Sequence, residues 1–137
     1  MNPARLPIVG VAALTLAGCG GGGATLATFA GEWQGHTRSL TITRSGEGIE
    51  SIYSGCCDFA IAIHFRLSRP HGTSRAATAT AVVTAVRIGD KSAFGKGDSP
   101  PHVGESKVIR LRDGVITETL TGANYCSTSV KRWTCGA

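Results

Sequence analysis

The chain has little of what most activities are read from. Aromatic residues make up 6% of it and charged residues 17%, and no run of five or six like charges occurs. Basic residues are scattered from Arg38 to Arg132 with few aromatics between them, which argues against a nucleic-acid surface. No stretch shows the 3.6-residue period of an amphipathic helix, and no segment repeats. The longest apolar run, Leu6 to Ala17, is shorter than the roughly 20 residues of a spanning helix. Paired C-x2-C motifs are missing too. The adjacent Cys56 and Cys57 and the widely spaced Cys126 and Cys135 do not make a zinc pattern with His36, His64, His71 or His102, so no metal or cofactor is expected.

What remains is a globular composition, 42% hydrophobic with a formal charge of +5, in a length that holds one domain. Nineteen glycines, with abundant threonine, alanine and valine, favour turns and strands. A mildly basic chain is drawn toward anionic surfaces.

The first 18 residues divide as a secretory leader does: Arg5 supplies a positive start, Leu6 to Ala17 an apolar centre, and Leu16-Ala17-Gly18-Cys19 follows. That tetrapeptide resembles the lipobox of bacterial lipoproteins. The resemblance implies a diacylglyceryl thioether on Cys19, cleavage just before it, and a chain held on the extracytoplasmic face of the cell membrane. Two acyl chains, palmitate among the usual ones, suffice for stable anchoring. The expected organisation is therefore a signal peptide over 1–18, a lipidated cysteine and glycine-rich tether over 19–28, and one domain over 29–137.

With Cys19 acylated, Cys56, Cys57, Cys126 and Cys135 are left, an even number that reads as disulfides in an exported chain. Neighbours on an extended strand point opposite ways. A bond between Cys56 and Cys57 is thus the least favoured of the three pairings. The other two both join the middle of the chain to its end, closing loops of about 70 residues.

From Phe29 on, short strands alternate with turn signals. They are expected over 32–37, 39–44, 49–53, 59–67, 76–88, 107–112 and 115–120, with a last one over 130–135. In the fourth, Phe59, Ile61, Ile63, Phe65 and Leu67 form one apolar face. In the fifth, Ala77, Ala79, Ala81, Val83 and Ala85 oppose a row of threonines. Residues 89–104 form the longest loop, and Asp113-Gly114 is the strongest hairpin signal. The fold class is all-β: a single antiparallel meander of seven or eight strands, closed as a small barrel or folded as a sandwich.

Gly31-Glu32-Trp33 at the head of the first strand is similar to the G-x-W of lipocalins and other calycins. The resemblance implies a lipocalin-like barrel whose Trp33 plugs one end, with Arg132 as a partner for it. The arrangement of that motif with Gly55-Cys56-Cys57, Asn124-Tyr125-Cys126 and the terminal Thr134-Cys135-Gly136-Ala137 resembles small envelope lipoproteins of actinobacteria, which implies a location rather than an activity.

No catalytic set is coherent, so no enzymatic activity is expected. Gly97-Asp98-Ser99 is similar to the G-D-S block of an esterase family, but Pro100 and Pro101 follow, and His102 reads as a loop residue. Asp58, Glu105 and Glu118 are candidate paired carboxylates with nothing to say that any two meet. The small alanines of the fifth strand either let walls pack closely or leave space. If they leave space, Ile61, Ile63, Phe65 and Val83 line an apolar pocket for a lipid or similar small molecule. The alternative is a surface that binds an envelope protein or cell-wall polymer around Trp133 or Tyr53.

Overall fold

The computed structural model describes residues 22–55, 57–97, 99–119, 121–128 and 135. Eight antiparallel strands follow one another in chain order and close on themselves. They are β1 (Gly31–Gly35), β2 (Arg38–Ile42), β3 (Glu47–Ser54), β4 (Asp58–Gly72), β5 (Ala76–Ile88), β6 (Ser106–Arg112), β7 (Val115–Glu118) and β8 (Asn124–Ser127). Pairing of Trp33 with Ser127 and of Gln34 with Cys126 joins β1 to β8, so the barrel leaves no open sheet edge. The expected closed meander is the observed fold, and the sandwich is not.

Residue chemistry sets the inward face. Trp33 lies opposite Leu40, Gly48 opposite Phe65, Ala79 opposite Ile109 and Ile116 opposite Tyr125. These positions share the barrel interior, while the intervening threonines and arginines face out. Gly48 is needed where it stands: a Cβ there would come within 2.1 Å of the Phe65 ring, which occupies that space. The Asp113-Gly114 turn has both residues at positive φ, 48° and 81°, as a two-residue hairpin with right-handed twist requires.

One end of the barrel is closed. A short 3-10 turn, Leu26–Phe29, crosses beneath it, and the Trp33 indole donates to the Phe29 carbonyl at 3.1 Å. Phe29, Trp33, Leu40, Ile42, Phe65 and Leu67 pack there against Ala77, Ala79 and Ala81. The Ala24 N–H donates to Gly72 at 2.9 Å. Residues 24–28, expected to belong to a tether, are instead part of the barrel floor with Phe29. The plug expected of Trp33 is this one, with Phe29 as its observed partner; Arg132 lies outside the described residues.

Several expectations change. Cys126 bonds Cys135, nine residues on, rather than Cys56 or Cys57. The reason is topological: Cys126 points outward from β8, between Gln34 on β1 and Val115 on β7, whereas Cys57 sits at the far hairpin between β3 and β4. A loop this short restrains the unfolded chain by about 2.6 kcal/mol, against about 4.4 for a loop of about 70 residues. Cys57 is exposed; Cys56 lies outside the described residues, as do Cys19 and the leader. The eighth strand is Asn124–Ser127 rather than 130–135, of which only Cys135 is described. In β5 the inward row stops at Val83, because a register shift opposite His64 and Phe65 turns Ala85 outward and brings Val86 opposite Ile63.

Candidate functional site

The other end of the barrel, with its long β5–β6 connection, is open. Here a pocket of about 550 Å³ enters the interior, within the range of about 300–1,000 Å³ common to small-molecule sites. Ile52, Ile61 and Ile63 form its inner wall, and Phe94, Pro100 and Pro101 of the connection lean over it. The connection is held down by backbone bonds: Gly89 and Asp90 both donate to the Ala60 carbonyl, at 2.8 and 3.2 Å, and Gly104 donates to Val83 at 2.8 Å. Asp90 also caps the turn that follows, accepting from the Ser92 hydroxyl at 2.6 Å and from the Ser92 N–H at 2.8 Å, bonds that favour its ionised form and lower its pKa.

Beneath the pocket the interior is ionic. Glu50, Lys107 and Glu118 take inward positions on β3, β6 and β7 and are 1%, 5% and 1% exposed. Burying three charges is tolerable only if each is paired and fully hydrogen-bonded. Lys107 Nζ lies 2.5 Å from Glu50 Oε2 and 3.5 Å from Glu118 Oε2, so one ammonium bridges two carboxylates. Its other side faces the Phe65 ring, 5.3 Å from the centroid. The Tyr125 hydroxyl donates to Glu50 Oε1, and the Thr121 N–H donates to Glu118 at 2.6 Å, joined by the Thr121 hydroxyl. Burial pushes the Tyr125 pKa far above its usual value, and the Glu50 charge pushes it further, so the phenol stays protonated as a donor. No buried side-chain nitrogen or oxygen among the described residues lacks a hydrogen-bond partner.

Arg38 completes the cluster and also reaches the pocket. Its Nη1 is 3.7 Å from Glu50 Oε1 and donates to Thr121 Oγ1 at 3.1 Å. The side chain is 27% exposed and forms part of the pocket wall. It balances the second buried carboxylate, and its side chain stands in the pocket wall beside Thr121. The described lining joins an apolar wall to the polar and charged side chains of Arg38, His102, Glu105 and Thr121.

Of the residues singled out for a pocket, Ile61 and Ile63 line this one. Val83 packs behind them in the same apolar cluster, and Phe65 lies deeper, in the closed-end core. The alanine row does not make the space; Ala77, Ala79 and Ala81 fill the closed end by letting large side chains approach. Tyr53 stands on the pocket wall, edge-on to Phe59 at 6.4 Å. Trp133 lies outside the described residues. Ser99 and His102 are both at the mouth, but no hydrogen bond joins them, and the His102 N–H donates instead to Glu105 Oε2 at 2.9 Å. Asp98 lies outside the described residues. Glu118 meets Glu50 across Lys107, and neither Asp58 nor Glu105 joins them.

Arg38, Glu50, Lys107 and Tyr125 were not among the residues expected to act together. A signal exists for Lys107, which stands in phase with Ile109 and Leu111, and for its partner Glu118, in phase with Ile116. A charge at an inward position of a half-buried strand is anomalous and requires a partner. No arrangement of three or more His, Cys, Asp or Glu side chains suited to a metal occurs among the described residues. Compared with protein families, curated proteins and solved structures, the chain finds no match, so the reading of this site rests on its own geometry.

Proposed function

We propose that this chain is a cell-envelope lipoprotein, anchored through a diacylglyceryl group on Cys19, whose barrel is a non-enzymatic binding module for a small amphiphile. The observation that carries the reading is the open pocket itself, with isoleucine walls and the Arg38 guanidinium at its inner side. An apolar body is driven in by burial against Ile52, Ile61, Ile63 and Phe94, at roughly 25 cal/mol per Å². A carboxylate or similar head group at Arg38 satisfies donors that water otherwise holds. Behind Arg38 stand two carboxylates and one cation, Lys107, so Arg38 is the second cation that brings the cluster to neutrality and is fixed by it.

The test is titration with the fluorescent apolar amine N-phenyl-1-naphthylamine, followed by displacement with decanoate and with decanol. The barrel is expected to enhance the dye's emission, decanoate to displace it at lower concentration than decanol, and Ile52→Glu to weaken dye binding at least about ten-fold by placing a charge on the wall. A folded protein that leaves the dye's emission unchanged would defeat the pocket reading. Equal displacement by acid and alcohol would remove Arg38 from it. The anchor is tested separately by the mass of the chain extracted from membranes, where an unmodified Cys19 defeats the address.

A further inference from the structure

We propose that the closed end of the barrel is a docking face for anionic phospholipid headgroups, which turns the pocket mouth away from the bilayer. The inference rests on the Cys19 anchor proposed above and adds an orientation to it.

Charge is segregated along the barrel axis. Arg44 in the β2–β3 turn, Arg66, Arg69 and Arg75 around the tip of the β4–β5 hairpin, and Arg110 and Arg112 on β6 all lie toward the closed end. Against these six stand Glu32, Glu47 and Asp113. Two of the carboxylates are taken: Glu47 by Arg66 at 3.1 Å and Asp113 by Arg75 at 3.3 Å. Arg44, Arg69, Arg110 and Arg112 have no carboxylate within ion-pair distance among the described residues. Among the described residues at the mouth, by contrast, Arg38 is taken by Glu50, and Arg87, Lys91 and Lys96 are offset by Asp58, Asp90 and Glu105.

Two of these arginines, Arg110 and Arg112, are also neighbours. Arg112 lies opposite Ala76 and Arg110 opposite Thr78, and Thr78 is itself opposite His71, whose Nε2 it meets at 2.5 Å. Together these residues border a shallow depression on the outer wall beside Gly72. Gly72 is where the chain enters: its carbonyl accepts from the Ala24 N–H. Ala24 is five residues beyond Cys19, so the lipidated cysteine reaches at most about 18 Å from that point. A tether this short holds the hairpin tip close to the headgroups. The phosphates' attraction is screened over about 8 Å at physiological salt, so it is felt by this end and not by the mouth.

Hydrogen exchange of the mature lipidated protein in vesicles tests the face. Peptides covering 69–77 and 110–114 are expected to exchange at least about three-fold more slowly on phosphatidylcholine vesicles containing phosphatidylglycerol than on phosphatidylcholine alone. The difference should vanish near 1 M salt, where the Debye length is about 3 Å, and the mouth segment 91–104 should exchange alike on both. The variant Arg69→Gln/Arg110→Gln/Arg112→Gln should lose the difference while its core strands keep their protection. If the wild-type, lipidated protein exchanges identically on the two vesicles, the docking face is overturned and the anchor stands. If Cys19 carries no lipid mass, both fall together.

Discussion

The two ends of the barrel use one strand alternation to opposite purposes. At the closed end, large side chains (Phe29, Trp33, Leu40, Phe65, Leu67) meet a row of alanines, and the match of large to small fills the interior. At the open end, isoleucines line both β3 and β4, and among the described residues no side chain from the facing strands fills the gap between them and the β5–β6 connection. Between the two lies the ionic layer of Glu50, Lys107, Glu118 and Tyr125. The comparison teaches that packing and binding are kept apart by a polar floor. The apolar core is sealed below the charges, so water or ligand can enter the mouth without reaching it.

The sharpest way to break this division is to remove the one cation between the two buried carboxylates. Lys107→Met leaves Glu50 and Glu118 facing each other without Nζ and is expected to cost about 3–5 kcal/mol in urea denaturation at neutral pH. Adding Glu118→Gln to that variant should recover a large part of the loss, because one carboxylate then remains beside Arg38. If Lys107→Met is as stable as the wild type, the ionic layer is not what separates the two ends.

The next effect compares equal deletions on either side of that layer. Leu40→Ala in the closed core is expected to cost about 2–5 kcal/mol, since its neighbours cannot collapse into the void. Ile52→Ala on the half-buried pocket wall should cost about 1 kcal/mol, because it enlarges a space already open to water. Similar midpoint shifts for the two variants would show that the mouth is packed as tightly as the base.

This contrast also marks how far the sequence alone could be read. The strand at Ala76–Ile88 and the Asp113-Gly114 hairpin were legible because alternation and turn chemistry are local. Strand number and short connections gave the antiparallel meander but not the choice between barrel and sandwich, which the pairing of β1 with β8 decides. The last strand was not legible: Asn124–Ser127 is short and polar at one end, and its place is set by pairing with β1 and β7 rather than by its own pattern. The cysteine pairing failed for a related reason. Opposed directions of Cys56 and Cys57 say where each cannot point together, whereas the partner of Cys126 depends on which wall of the barrel it faces. The ionic layer needed both kinds of information, since Glu50 and Lys107 are 57 residues apart and meet only when the barrel closes.

A smaller effect than the loss of Lys107 or Leu40 tests the floor through Tyr125. Its phenol is raised above the ordinary value near 10 by burial and by the Glu50 carboxylate it serves, so the folded chain keeps a proton that the unfolded chain releases. That contribution is whole below about pH 10 and declines as pH rises beyond it, by about 1.4 kcal/mol per pH unit, because the folded pKa lies out of reach. Tyr125→Phe removes the titrating proton and one donor to Glu50, at a cost of about 1–2 kcal/mol near neutrality. Denaturation midpoints of the two proteins should therefore differ at pH 8, converge above pH 10, and cross if the slope persists. Parallel curves across that range would mean that the phenol reaches water, and that the polar layer does not seal the core from the mouth.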